Sequence, residues 1–122
     1  MTHTYTIQGS LPGFNETIYE ARGNKYVSNT TKRLCTSICA DAAKHNHIPV
    51  ITKPIIVSVL WIEKDRRRDP DNIAVALKFI LDGLQKAKVI QNDGWKEIIG
   101  ITHRFDTDNN TPRIVVELQE VE

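Results

Sequence analysis

The clearest hydrophobic pattern in the chain is the run Ile55, Ile56, Val57, Ser58, Val59, Leu60, Trp61, Ile62, which is rich in β-branched residues and apolar at every position except Ser58. Such a run predicts a strand buried on both faces inside a sheet. Alternation from His3 to Gln8 predicts a short first strand, with Gly9, Pro12, Gly13 and Asn15 as a turn-rich loop behind it. A second loop is expected around Arg22, Gly23, Asn24 and Lys25. From about Ser28 the spacing becomes helical. Ser28, Thr30 or Thr31 can cap a helix whose stripe Leu34, Ile38 and Ala42 continues to His45, with Pro49 beyond. Asp69 and Pro70 then supply an N-cap and a proline at the first helical position. Ile73, Ala76 or Leu77, Ile80, Leu84 and Ala87 form the apolar stripe of a second helix, from Pro70 to about Lys88. After Asn92-Asp93-Gly94, Trp95 to Phe105 and Arg113 to Leu118 read as two strands joined by the polar turn Asp106 to Pro112, hence a hairpin. The order strand, helix, strand, helix, hairpin predicts one α+β domain over residues 1–122, a mixed sheet layered with two helices.

Composition narrows this picture. With 122 residues, 40% of them apolar and 25% charged, the chain buries enough surface to need neither disulfide nor metal for its core, so a metal would be functional. The apolar run at Ile55 to Ile62 is far short of the roughly 20 residues that span a bilayer. The first twenty residues contain Glu16 and Glu20 and lack the order of a secretory signal, so a cytoplasmic location is expected. Cys35 and Cys39, four apart on a helix, read as reduced thiols. Sixteen basic against fifteen acidic residues exclude an evenly basic nucleic-acid surface but leave the distribution of charge open.

The densest chemistry lies in Arg66-Arg67-Arg68-Asp69-Pro70-Asp71-Asn72, with Asp93 in the next loop. Asp69 and Asp71 flank a proline at a strand-to-helix junction. Two carboxylates held together repel, and a shared divalent cation relieves them; Mg²⁺ suits carboxylate oxygens and keeps substrate phosphate among its other ligands. Arg66, Arg67 and Arg68 would meet a phosphate backbone, with Lys53 and Lys64 widening the basic patch. The competing reading is that the aspartates only cap a helix and the arginines only solvate a loop. On a helical wheel Asp71, Val75, Lys78, Asp82 and Gln85 share a face; Lys78 lies about 10 Å along the axis from Asp71, and Asp82 about 16 Å. Lys78 also stands at i,i+4 spacing to Asp82, the geometry of an ordinary surface ion pair. Trp61 either packs in the core or stacks on nucleic acid. His45 and His47, near a helix end, read as surface residues.

RRRDPDN at Arg66 to Asn72 and KFILDGLQKAKVIQND at Lys78 to Asp93 resemble the RusA-type Holliday junction resolvases, small Mg²⁺-dependent endonucleases. Leu11-Pro12, Asn15 and Lys25-Tyr26-Val27-Ser28 extend the likeness. The resemblance implies Asp69, Asp71 and Asp93 as ligands of Mg²⁺, with Mn²⁺ as a substitute, and Lys78 as the catalytic lysine. The family lysine usually follows the second aspartate by four, where this chain has Val75; Lys78 matches by counting back from Asp82 and Asp93, as though about three residues were inserted. Asn92 stands where the family often has another acid. The implied activity is resolution of four-way DNA junctions in recombination and repair, in the setting of a phage or prophage. It needs two symmetric cuts and therefore a homodimer. The rival readings are a non-catalytic DNA-binding protein and a metal-dependent nucleotide pyrophosphohydrolase. The nuclease reading expects Asp69, Asp71 and Asp93 to converge in space.

Overall fold

The computed structural model of the protein describes residues 1–13 and 25–122; the turn expected at Asn15 and the loop at Arg22 to Asn24 lie outside them. The described elements are β1 (Thr2–Gln8), α1 (Lys25–His45), β2 (Ile55–Glu63), α2 (Pro70–Ala74), α3 (Leu77–Lys86), β3 (Ile98–Thr107) and β4 (Arg113–Glu120). This is a small single-domain α+β fold, as the pattern predicts. The described strands form one mixed sheet in the order β1-β4-β2-β3, with β2 parallel to β3 and antiparallel to β4.

The expected hairpin is therefore absent. β3 and β4 do not pair with each other; β2, the most apolar strand, lies between them. The segment Asp106 to Pro112 passes over the end of β2, where the Asp108 N–H donates to the Glu63 carbonyl at 2.8 Å. β3 also begins at Ile98 rather than Trp95, leaving Trp95 fully exposed in the preceding loop.

Residues opposite one another on the ladder share a face. Tyr5, Val116 and Val59 lie in one row under the helices and are buried; Thr4, Glu117, Ser58 and Thr102 lie in a row on the other side. β2 is accordingly deeply buried along its whole length on one face only; on the other Ile56, Ser58 and Leu60 are half-buried and burial returns at Ile62, which corrects the expectation of burial on both faces.

α1 starts at Lys25, so Ser28, Thr30 and Thr31 lie inside the helix instead of capping it. Its buried stripe is Cys35, Cys39, Ala40 and Ala43, one position away from the expected Leu34 and Ile38, which are 60% and 41% exposed. The cause is the neighbouring helix. A Cβ placed on Gly83 of α3 would fall 2.6 Å from the Cys39 Cβ and 2.9 Å from the Ala40 nitrogen. A seam this close admits only small side chains. Both cysteines are buried there, and burial pushes the Cys39 thiol up to about 12, helped by Cys35. Neither is poised as a nucleophile.

The second expected helix is two. Between α2 and α3 the chain tightens at Val75 and Ala76, where Ala76, Lys78 and Phe79 N–H groups donate to the carbonyls of Ile73, Val75 and Ala76 at 3.2, 3.4 and 3.0 Å. These three-residue bonds keep the chain right-handed while breaking the regular ladder. α3 closes in a left-handed residue, Lys88 with φ 61°, and Val89 N–H returns to the Leu84 carbonyl at 2.9 Å. A Schellman closure of this kind ends the helix without a glycine to announce it.

Candidate functional site

β2 delivers its last residues, Trp61 to Glu63, to the end of the sheet from which the charged loop departs. Arg68 turns back into that end. Its Nε and Nη2 donate to Glu63 Oε1 at 2.9 and 2.8 Å, and its Nη1 donates to the Leu11 carbonyl at 3.0 Å. With side chains only 20% and 11% exposed, Arg68 and Glu63 form a half-buried strut joining the loop, β2 and the segment after β1. Asp65 organises the turn by accepting the Arg67 N–H at 3.1 Å, and its other oxygen lies 3.4 Å from the Arg67 Nε. Arg66 and Lys64 are exposed. Lys53 is placed differently. It precedes β2 and pairs with Glu122 at 2.6 Å, so the whole strand, about 30 Å at 3.3 Å per residue, separates it from Lys64.

Asp69 occupies the N-cap position of α2 with extended backbone, φ −72° and ψ 151°. Its carbonyl accepts the Ile73 N–H at 3.1 Å, yet its carboxylate makes no capping hydrogen bond. Asp71 Oδ1 accepts only the neighbouring Asn72 N–H at 2.9 Å among the bonds described. Both aspartates are exposed on either side of Pro70. Asn72 is buried, and a Cβ on Gly13 would run into its carbonyl oxygen, so the segment after β1 lies directly against this turn.

On the far side of the Val75–Ala76 joint, the Lys78 Nζ sits 3.0 Å from Asp82 Oδ1 and 3.2 Å from Asp93 Oδ2. The shared helical face of Lys78 and Asp82 is thus realised, and the loop after α3 folds back to bring Asp93 to the first turn of that helix. Hydrogen bonds that the Lys78 ammonium donates to Asp82 and then to Asp93 hold it above its ordinary pKa, so it stays charged. Among the described residues, no three His, Cys, Asp or Glu side chains gather around one point as ligands of an ion. By kind the donors fit a hard divalent cation, and Mg²⁺ is commonly held by one or two carboxylates plus substrate phosphate. Asp69 and Asp71 meet that description; Asp93 is engaged with Lys78.

Nothing local in the sequence marks the cleft at the carboxyl ends of β2 and β3. It has a volume of about 310 Å³ and is bounded by Arg66, Asp69, Pro70, Ile73, Phe105 and Asp106, among others. Behind it runs a row of rings. Trp61, buried, stacks on His103 at 6.0 Å and 18°, and His103 on Phe105 at 6.4 Å and 19°. Trp61 Nε1–H donates to His103 Nδ1 at 2.9 Å, which assigns Trp61 to the core. A burial-driven fall in the His103 pKa keeps that acceptor nitrogen unprotonated. The hint in sequence was the pairing of Trp61 with Phe105, visible only once β2 and β3 are known to be parallel. No helix among the described residues is long and apolar enough to cross a membrane. The chain matches no family model and no curated protein.

Proposed function

We propose that this protein is a divalent-metal-dependent endonuclease that acts on branched DNA, in the manner of the RusA-type resolvases whose motif it resembles, and works in the cytoplasm as a homodimer during recombination and repair. The observation that carries the reading is the Asp69 carboxylate, which stands at a helix N-cap without capping, beside an Asp71 that is also exposed. A helix-capping role leaves that arrangement unexplained.

Asp69 and Asp71 would hold Mg²⁺ or Mn²⁺, whose chemistry when bound is Lewis-acid activation of the phosphodiester and of water. Arg66 and Arg67 bind the phosphate backbone and fix its register. Arg68 contributes through Glu63 and Leu11, by shaping the loop that presents them. Lys78, held charged by Asp82 and Asp93, offers an ammonium to the charge that develops on the transferring phosphoryl group. The resemblance makes Asp93 a third ligand; in that role it would be shared between the ion and Lys78.

The cleft of about 310 Å³ gives the nucleotide pyrophosphohydrolase reading a specific observation of its own. One experiment separates the readings: the protein is incubated with a synthetic four-way junction, linear duplex or a nucleoside triphosphate, each with Mg²⁺ or chelator. Symmetric nicks in the junction, dependent on Mg²⁺, are expected. Asp69→Asn or Asp71→Asn should abolish them while junction binding persists or tightens, because metal affinity and negative charge go together. Hydrolysis of the triphosphate alone would transfer the site to the pyrophosphohydrolase reading, and binding without any hydrolysis to the DNA-binding one.

A further inference from the structure

The cleft between β3 and the aspartate turn has the parts of a seat for a single nucleotide. It opens at the carboxyl ends of two adjacent parallel strands, the position where open α/β sheets leave a crevice that side chains of the strands do not fill. Its aromatic wall is Phe105, an edge-strand ring left 40% exposed. That ring is not loose: it closes the row anchored by the buried Trp61 and tied through His103, so its plane is set by the core. Pro70 and Ile73 form an apolar wall, and Asp106 and Thr107 bring polar groups to the rim. Arg66 and Arg68 line the same cleft with positive charge, and Glu63, Asp65 and Asp69 line it with carboxylates. A volume of about 310 Å³ is at the lower end of ligand clefts, and a double helix cannot enter it. The cleft pairs an aromatic face and two further apolar side chains, Pro70 and Ile73, with Arg66 among charged residues, and the ring with the guanidinium matches one base with its phosphate.

We infer that an unpaired nucleotide enters this cleft, its base stacking on Phe105 and its phosphate meeting Arg66, beside the Asp69 carboxylate. This deepens the nuclease reading and rests on it for the source of the nucleotide, a strand opened at the branch point. A free nucleotide carries the same chemistry, so the test includes both sources.

2-Aminopurine fluorescence reports stacking. In chelator, so that cleavage plays no part, the protein is titrated into an oligonucleotide with one unpaired 2-aminopurine, into the same base in duplex, and into 2-aminopurine deoxyriboside triphosphate. We expect quenching with the unpaired base and none with the duplex. Phe105→Ala should abolish the quenching and weaken binding of the unpaired strand about tenfold, since an aromatic–base stack contributes that much, and leave duplex affinity unchanged; Phe105→Tyr should restore both. The ring is half-exposed, so Phe105→Ala should remain folded by circular dichroism, and the tyrosine variant covers the case in which it does not. Quenching that survives Phe105→Ala but disappears in Trp95→Ala would place the base on the exposed Trp95 and overturn the inference. Phe105-dependent quenching by the free triphosphate alone keeps the cleft as a nucleotide site and moves its source to free nucleotides. Phe105-dependent quenching in a protein that nicks no junction with Mg²⁺ keeps the cleft and removes the nuclease reading, whereas nicking indifferent to Phe105 removes the cleft alone. Failure to bind any DNA or nucleotide overturns both.

Discussion

Two ion-pair clusters flank the aspartate turn, and they differ in where their charge goes. Arg68 and Glu63 are half-buried, and the guanidinium places all its described bonds on groups of the fold, a carboxylate and a backbone carbonyl. Lys78, with Asp82 and Asp93, stands in solvent with its side chain 58% exposed. Buried charges resist the loss of a partner because the survivor is stranded, while an exposed pair costs little to part. The arginine cluster is thus a structural joint, and the lysine cluster is a charge held ready at a surface. Three consecutive arginines look alike in sequence; only two of them, Arg66 and Arg67, remain turned to the outside.

The strongest way to break this contrast is Arg68→Ala. Removing it leaves Glu63 buried without its partner and frees the Leu11 carbonyl, and unfolding in urea should show a loss of about 3 kcal/mol. A loss no larger than that of Arg66→Ala would make the two arginines equivalent. Lys78→Ala comes next: single-turnover junction cleavage should slow about a hundredfold, or about 2.7 kcal/mol in the barrier, with stability within about 0.5 kcal/mol of the wild type. Normal cleavage by Lys78→Ala, with loss in Lys64→Ala or Lys53→Ala, would assign the catalytic charge elsewhere. Smaller effects sharpen the comparison. Arg66→Ala and Arg67→Ala should each flatten the dependence of log K on log salt for DNA binding by about one unit; an unchanged slope would leave them as solvated loop residues. The smallest concerns His103, whose folded pKa lies below its unfolded value near 6.5. Its neutral ring is a stabilising element present above about pH 6.5 and lost as pH falls through the lowered folded pKa, because burial disfavours the charged ring and protonation ends the acceptance of Trp61 Nε1–H. His103→Gln should flatten the fall in stability below pH 6.5 seen with the wild type.

Local signals were the ones legible in sequence. The β-branched run fixed β2 as a strand, and Asp69-Pro70 fixed the start of α2, because both depend on neighbours a few residues away. The errors arose where distant partners decide. Parallel pairing of β2 with β3 has no local mark, and a polar segment the length of Asp106 to Pro112 looks the same whether it closes a hairpin or passes over another strand. The buried face of α1 was misjudged because Leu34 and Ile38 are more apolar than Cys35 and Cys39; close approach to Gly83, 44 positions after Cys39, selects size over hydrophobicity. In the site, the two aspartates and the Lys78 and Asp82 face followed from helical spacing. The Arg68 strut, the Gly13 and Asn72 contact and the ring row behind Phe105 needed the fold.

The interruption at Val75 and Ala76 also bears on the direction of Lys78 relative to Asp71. Three extra residues in a continuous α-helix advance a side chain about 4.5 Å and turn it about 300°, so it comes back some 60° short of its former direction. A tighter turn of two residues changes that phase without unwinding the helix on either side. The aspartate turn and the lysine face then belong to two helical segments, α2 and α3, whose mutual bearing is set by the joint. Deleting one residue at this joint would rotate Lys78 by about 100° relative to Asp71 while leaving α2 and α3 each intact, a change of bearing with no change of composition in either part.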